Sequence, residues 1–266
     1  ALGQNDTNLT VGTTALVTSH GALEVQSKGI SVVDAYAVAK SKGAVAGGNA
    51  NSKAVSNYNT ITTINGHLVS DDDAHIKALT QATVKAQSKA DGMGLGASVN
   101  SNDDRDESNK LGSFLGMNNS DTTVTFGASA VVEAENIHVS AETTPKATTR
   151  AETDADAGGA DADAVANATV QGTTQVFITT GAEFTADIDV TFEAKLSGCT
   201  VFIRSDADCD CAGADTDSNA TYDVDLMVKV TGQRDALITT TTLHVSALAG
   251  TCLLYTSPSP RDGLLS

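Results

Sequence analysis

The sequence predicts an all-β protein, an elongated β-solenoid of uneven repeats that carries long hairpin-like arms. Three observations lead there. Small residues occupy every second position over long stretches, related segments recur along the chain, and the apolar content of 40% is mostly Ala and Val, with no Trp and 4% aromatics. A core of such small side chains forms only where backbones stack closely and regularly. At 266 residues the length fits one large all-β body or two ordinary domains.

Four segments open on a strand-like phrase containing a Gly: "ALVTSHGALEVQSKGISVVDA", "TITTINGHLVSDDDAHIKALT", "TVTFGASAVVEAENIHVSAET" and "QVFITTGAEFTADIDVTFEAK". Their glycines, Gly21, Gly66, Gly127 and Gly181, are unevenly spaced, closest between the first two and widest between the second and third. The repeats run over about 13–60, 61–121, 122–174 and 175–232, and "RDALITTTTLHVSALAG" makes a partial copy over 233–251. Each opening phrase leads into an arm rich in Ala, Ser, Thr and Asp, with glycines near its middle.

Period identifies the arms as strands. Ala favours helix, yet in the second segment Ile76, Ala78, Thr80, Ala82, Val84, Ala86, Ser88 and Ala90 alternate with His75, Lys77, Gln81, Thr83, Lys85, Gln87 and Lys89. Leu79 is the exception. Strict period 2 outweighs helix propensity.

The third arm, "ETDADAGGADADAVANA", is nearly palindromic. Ala151, Thr153, Ala155 and Ala157 are odd-numbered; after Gly158-Gly159, Ala160, Ala162, Ala164, Ala166 and Ala168 are even-numbered. A two-residue hairpin pairing 157 with 160 and 155 with 162 keeps every small side chain on one face, and Gly-Gly suits its turn. The fourth arm switches parity at Ala212-Gly213, from Ser205, Ala207, Cys209 and Cys211 to Ala214, Thr216, Ser218 and Ala220. The first does so around Gly47-Gly48, where Ala39, Ser41 and Gly43 face Ala50, Ser52 and Ala54. A tight corner between two faces of a β-helix flips parity equally well, and an extended antiparallel sheet of hairpin repeats is the alternative fold.

The hairpin register sets Asp156 opposite Asp161 and Asp154 opposite Asp163, then Asp210 opposite Asp215 and Asp208 opposite Asp217. Like charges directly opposed cost stability, so these eight residues are candidate oxygen ligands for calcium. A solvated acidic face screened by salt is the competing explanation. Asp71, Asp72 and Asp73 before His75 read as turn chemistry, and "SNDDRDESN" at 101–109 as a polar loop.

Cys199, Cys209 and Cys211 fall on the inward face in place of Ala. C-x-C without a second Cys pair makes no zinc knuckle, so they read as small buried hydrophobes and imply no complete disulfide set. His20, His67, His75, His138 and His244 are scattered without metalloprotease spacing, and no nucleophile elbow or phosphate loop is present. Four Tyr and six Phe scarcely supply the aromatics of a sugar-cleaving cleft. No catalysis is expected.

Charge excludes other classes. With 33 acidic against 16 basic residues the net charge is −17. Such a chain has no basic patch for phosphates, so neither nucleic acid nor an anionic membrane surface is an expected partner. No stretch approaches the roughly 18 apolar residues of a bilayer span, so membrane insertion is not expected. Ala1 opens the chain without Met or a signal peptide, and the sequence is expected to be an internal fragment of something longer.

Two resemblances concern short stretches. "CLLYTSPSPRD", residues 252–262, resembles the translated transposon adapter of sequencing libraries, which makes 252–266 a non-native tail and Cys252 foreign. "GGADADAVA" resembles the calcium-binding nonapeptide of repeats-in-toxin proteins, but Asp161 stands where that pattern has Gly. A third covers most of the chain. "ISVVDAYAVAKSKGAVAGGNANSKAVSNYNT" and "AENIHVSAETTPKATTRAETDADAGGADADAVANATV" resemble the repeats of very large bacterial surface adhesins, leukotoxin-type and filamentous-haemagglutinin-like. That likeness implies a right-handed parallel β-helix, secreted or displayed on the cell surface. Its expected role is a non-catalytic stalk and adhesion segment whose partner is a host or neighbouring cell surface or a matrix component. A calcium-responsive passenger of an extracellular toxin or enzyme is the alternative. Unpaired edges at both ends lead to an expectation of end-to-end self-association.

Overall fold

A strand with small residues on one side needs a second such face to bury against, and the chain supplies one by folding back at each glycine-rich corner. The computed structural model describes residues 1–101, 116–211 and 213–259. Every regular element among them is a strand. β1 (Leu2–Val11) lies in one sheet, β2 (Leu16–Ser19) and β3 (Leu23–Lys42) in a second, and β4 (Val45–Asn49) returns to the first. β5 (Ala54–Ile64), β6 (His67–Ser70), β7 (Ala74–Gly94) and β8 (Gly96–Ser101) repeat that path. β9 (Gly116–Phe126), β10 (Val131–Ala157) and β11 (Ala160–Ile178) follow, then β12 (Glu183–Leu196), β13 (Cys199–Cys211) and β14 (Ala214–Gly232). β15 (Leu237–Thr239), β16 (Thr242–Ala249) and β17 (Cys252–Ser259) close the second sheet. Among the described residues the first sheet holds seven strands and the second ten.

Among the described residues all the strand pairs are parallel, and each strand pairs with its counterpart one passage away. Leu2 pairs with Val55, Leu16 with His67, Ala168 with Gly116 and Ala160 with Ala214, so partners stand a little over fifty positions apart in sequence. Pairs whose connecting chain includes residues 102–115 are further apart, as in Ala54 with Gly116, Ala74 with Ile137 and His67 with Val131. The polar stretch expected to be a loop falls in this interval, and its residues 102–109 lie outside the described residues. The spacing of the opening glycines does not follow these offsets: Gly66 is adjacent to His67, the partner of Leu16, whereas Gly21 lies beyond the end of β2. They therefore mark corners without occupying equivalent pairing positions.

Parallel pairing overturns the hairpin-like arms and, with them, the extended antiparallel sheet. Ala157 pairs with Gly94, not with Ala160. Gly158-Gly159 is a corner from β10 in the second sheet to β11 in the first. A corner flips parity because the inward side changes hand as the chain turns back, so the alternation alone fits either geometry. In the first arm the turn falls between Lys42 and Val45, and Gly47 and Gly48 lie inside β4. In the fourth, Ala212 lies outside the described residues.

The inward positions are those read from the alternation. Ile76, Ala78, Thr80, Ala82, Val84, Ala86, Ser88 and Ala90 are buried in β7, and Ala151, Thr153, Ala155 and Ala157 in β10. Side-chain size falls along the strands. Phe126, Phe184, Phe192, Ile64 and Leu68 pack near the β5–β6 corner, Val84, Ala147, Val170 and Val201 lie mid-strand, and Ala46, Ala90, Ala155 and Ala162 line the opposite end. Phe184 meets Phe126 and Phe192 edge-on, with ring centroids 4.8 and 5.0 Å apart.

Buried hydroxyls cross between the sheets. Thr174 donates to Thr143, Thr143 to Thr122, Thr122 to Thr80 and Thr80 to Thr60, over 2.6 to 2.7 Å. Each buried hydroxyl thereby gains the partner that its desolvation demands. Thr122→Val keeps the shape but removes a donor and an acceptor from the middle of this row. It is expected to lower the unfolding free energy by about 1–3 kcal/mol, measured by urea titration.

Parallel register also sets the cysteines. Cys199 faces Cys252 with Cα atoms 4.4 Å apart, and the two form a disulfide. Cys209 is disulfide-bonded as well, and no described cysteine is free. This corrects the reading of the inward cysteines as small hydrophobes. That reading set Cys252 aside as foreign, whereas β17 brings its sulfur beside Cys199. Among the described residues 252–259 thus form the last strand, whatever their origin.

Pro145 sits within β10, in the interior of the second sheet, where a missing N–H is normally excluded. It lies opposite the break between β12 and β13: pairing stops at Thr143 with Leu196 and resumes at Lys146 with Thr200.

Candidate functional site

Outward positions near the Ala-rich corner collect carboxylates because parallel pairing stacks equivalent residues. Lys40, Asp91, Asp154 and Asp208 follow one another across β3, β7, β10 and β13. Two residues on, Lys42, Met93, Asp156 and Asp210 do the same. Neighbouring strands in a sheet are about 4.8 Å apart, so each carboxylate stands one strand spacing from the next. Lys40, Asp91, Met93, Asp154, Asp156 and Asp210 line an open groove of about 550 Å³.

Charge balance differs along this surface. Lys40 Nζ lies 3.6 Å and Lys89 Nζ 3.5 Å from the carboxylate of Asp91. Arg150 pairs with Glu152, and Arg204 Nη2 with Asp206 at 2.6 Å. The bond to Asp206 raises the Arg204 guanidinium above its usual value. Among the described residues no ion pair reaches Asp154, Asp156, Asp208 or Asp210. Burial first, and then the charges of Asp91 and Asp208, push the Asp154 carboxyl above its ordinary value; Lys89 opposes the shift and Asp156 adds to it.

The eight predicted calcium ligands are therefore regrouped. Asp154 pairs with Asp208 and Asp156 with Asp210 in the second sheet, whereas Asp161 pairs with Asp215 and Asp163 with Asp217 in the first. The expected oppositions of Asp156 with Asp161 and Asp154 with Asp163 do not occur, because the corner sends the two halves into different sheets. Asp163 is buried, and with Asp217, Val165 and Asn219 it lines a separate cavity of about 310 Å³. The side chains of Asp161 and Asp215 lie outside the described residues. Among the described residues no group of three His, Cys, Asp or Glu side chains is placed to hold a metal ion. What the surface offers is a row of oxygen donors that attracts cations by charge.

Sequence reasoning missed Asp91 and Lys40. Both were legible once the repeats were aligned in their paired register, which places Asp91 and Asp208 on either side of Asp154 and Lys40 beyond Asp91. His20, His67, His75 and His244 sit on outward or corner positions beside carboxylates. His20 Nδ1 is 2.8 Å from Asp71, and His67 Nε2 is 3.4 Å from Glu133. His75 stacks on His138 with ring centroids 5.1 Å apart. Asp71 and Asp72 form the bend between β6 and β7, as turn chemistry predicts, and Asn136 donates to Asp73.

Asp154→Asn tests the carboxylate column. An acid whose folded value is raised binds its proton more tightly when folded, so stability increases as pH falls through that value and is lost as pH rises through it. The variant is expected to be more stable than the parent at neutral pH, by up to about 1 kcal/mol because the site is exposed and screened. The difference should vanish below the ordinary carboxylate range and shrink in high salt, as read by thermal melts across pH.

The fold and this surface define an all-β protein of two facing parallel sheets with an acidic outer column. No protein-family model, curated protein or solved structure matches the chain.

Proposed function

We propose that the chain is a structural and adhesive segment of a secreted or cell-surface bacterial protein, built as a right-handed parallel β-solenoid and without catalysis. The observation that carries the reading is the repeated register. Successive passages pair in parallel at nearly constant offsets in sequence, with small or apolar side chains inward at every level. Each level buries its inward face only against the opposite sheet and its neighbours, the energetic plan of a repeat array.

The dimensions refine the role. One whole level adds only about 4.8 Å along the stacking direction, whereas the 27 residues of β10 span about 90 Å. Five levels make a broad slab with two wide, charged outer faces. Reach along the axis comes from many levels; this segment contributes breadth and surface. Contact with a host or neighbouring cell surface, or with a matrix component, falls to those faces.

The column Asp91, Asp154 and Asp208 favours a second reading, a calcium-responsive passenger of an extracellular toxin or enzyme. Circular dichroism of the full chain in excess EDTA and in millimolar calcium separates the two. A β-rich spectrum in both solutions supports the ion-independent segment. A coil spectrum that turns β-rich with calcium overturns it in favour of the passenger.

A further inference from the structure

Parallel stacking gathers histidines as well as carboxylates. Along one outward column of the second sheet Glu24 pairs with His75, His75 with His138, His138 with Thr191 and Thr191 with His244. His75 and His138 are thus direct neighbours, on β7 and β10. Both strands are paired on either side, β7 with β3 and β10, and β10 with β7 and β12. The two imidazoles lie nearly parallel, with planes 13° apart and ring centroids 5.1 Å apart. Each is half-buried on the outer face, between inward neighbours that are fully covered: Ala74 and Ile76 beside His75, Ile137 and Val139 beside His138.

Carboxylates surround the pair. Asp73, just before β7, places Oδ2 4.0 Å from His75 Nε2, and its Oδ1 accepts a hydrogen bond from Asn136 Nδ2 at 2.9 Å. Asn136 stands where the β10–β12 register shifts, so the irregularity is used to fix this carboxylate beside the rings. On the β3 side Glu24 lies 3.5 Å from Lys77 Nζ. On the β12 side the Thr191 hydroxyl donates to Asp189, which also lies 3.6 Å from His244 Nε2. Asp73, Glu24 and Asp189 therefore stand around the pair against Lys77, in a chain of net charge −17. Such a field draws cations.

We infer that His75 and His138 together chelate a divalent transition cation of the Cu²⁺ and Zn²⁺ kind. Each neutral imidazole offers one unprotonated ring nitrogen. Bonds of about 2.0–2.1 Å let two such nitrogens share an ion when they are up to about 4 Å apart. A turn about each Cβ–Cγ bond, a soft torsion in histidine, swings one nitrogen of each ring within that reach. The ladders on either side hold the two strands in place, so the backbone is organised before the ion arrives. Water completes the coordination, which is why two protein nitrogens suffice, and Asp73 adds negative charge beside them. Imidazole suits copper, zinc and nickel, whereas calcium and magnesium take oxygen donors. The site is therefore chemically distinct from the carboxylate column at the Ala-rich corner. It rests on neither adhesion nor the calcium reading, so its failure leaves both standing.

The test is calorimetric titration of the full chain with Cu²⁺ and with Zn²⁺, joined to electron paramagnetic resonance of the copper-loaded protein. The tightest class is expected to hold a single Cu²⁺ per chain with two coordinated nitrogens. Zn²⁺ should compete for it, and a large excess of Ca²⁺ should not. His75→Gln and His138→Gln are each expected to weaken binding about tenfold or more and to remove the paired-nitrogen signature. His20→Gln, His67→Gln and His244→Gln should leave both unchanged. Circular dichroism verifies that each variant keeps its β signature. His75→Thr and His138→Thr replace any that loses it, since Thr191 already occupies the same column. A parent without the paired-nitrogen signature overturns the inference, and so does an affinity that survives both His75→Gln and His138→Gln. An equal loss in His67→Gln or His244→Gln places the ion elsewhere and overturns it too, as does displacement of copper by calcium.

Discussion

Phe184→Ala is expected to lower the unfolding free energy by about 3–5 kcal/mol, the largest effect of any single truncation in the chain. Phe184 is fully buried, and so are its edge-on partners Phe126 and Phe192. Such aromatic pairs add about 0.5–1.5 kcal/mol each beyond their area. Three of the six Phe in the sequence meet at this one place, and elsewhere the core is largely Ala, Val, Ser and Thr. Phe184 lies on β12 between β10 and β15, and the inward faces of both sheets meet at this cluster, so the strands cannot draw together far enough to close the void. Urea titration should show the midpoint falling with little change in slope, since the folded surface is the same. An effect below about 1 kcal/mol would mean that the cavity collapses, contrary to the packing described.

Gly172→Ala is expected to cost about 2–4 kcal/mol by a different route. Gly172 has φ +156°, and a Cβ placed there would lie 2.1 Å from the Ser120 carbonyl oxygen. The β9–β11 ladder skips at this point: Gln171 pairs with Asn119 and the next pair is Thr174 with Thr122. The Thr173 N–H is instead accepted by the Asp121 carboxylate at 2.7 Å. A methyl group would have to push β11 away from β9 while β14 holds its other edge in unbroken register. Gly232→Ala, where an added Cβ meets nothing within 4 Å, is the control and should be close to neutral. Paired thermal melts decide between a steric cause and a general cost of replacing glycine.

Inside and outside were legible in the sequence, because period 2 is a property of the extended backbone itself. The parity of Ala151 through Ala168 identified which side chains are buried. It did not identify the partner of each strand. A turn at Gly158-Gly159 keeps Ala157 and Ala162 inward both when the strands pair with each other and when they enter facing sheets. Pairing is decided by residues some fifty positions away, and the marker glycines were a poor ruler because Gly21 and Gly66 sit at different points of their corners. The carboxylate column inherited this error. Asp154 was legible as one of an opposed pair, yet its neighbours are Asp91 and Asp208 rather than Asp163. The disulfide was hidden for the same reason, since only the long-range register brings Cys199 to Cys252.

The register has a mechanical meaning too. Along most of the chain, neighbouring strands are separated by a full passage of a little over fifty positions. One level therefore packs a contour of about 170–190 Å into a rise of about 4.8 Å. The Cys199–Cys252 disulfide closes the last passage on itself, so a pull along the stack peels the first level, and it lengthens the molecule roughly 35–40-fold for that level. Under tension such a slab acts as a wound reserve of thread: short and stiff until its first level lets go, then yielding in long steps, with the passage that includes residues 102–115 giving a longer one.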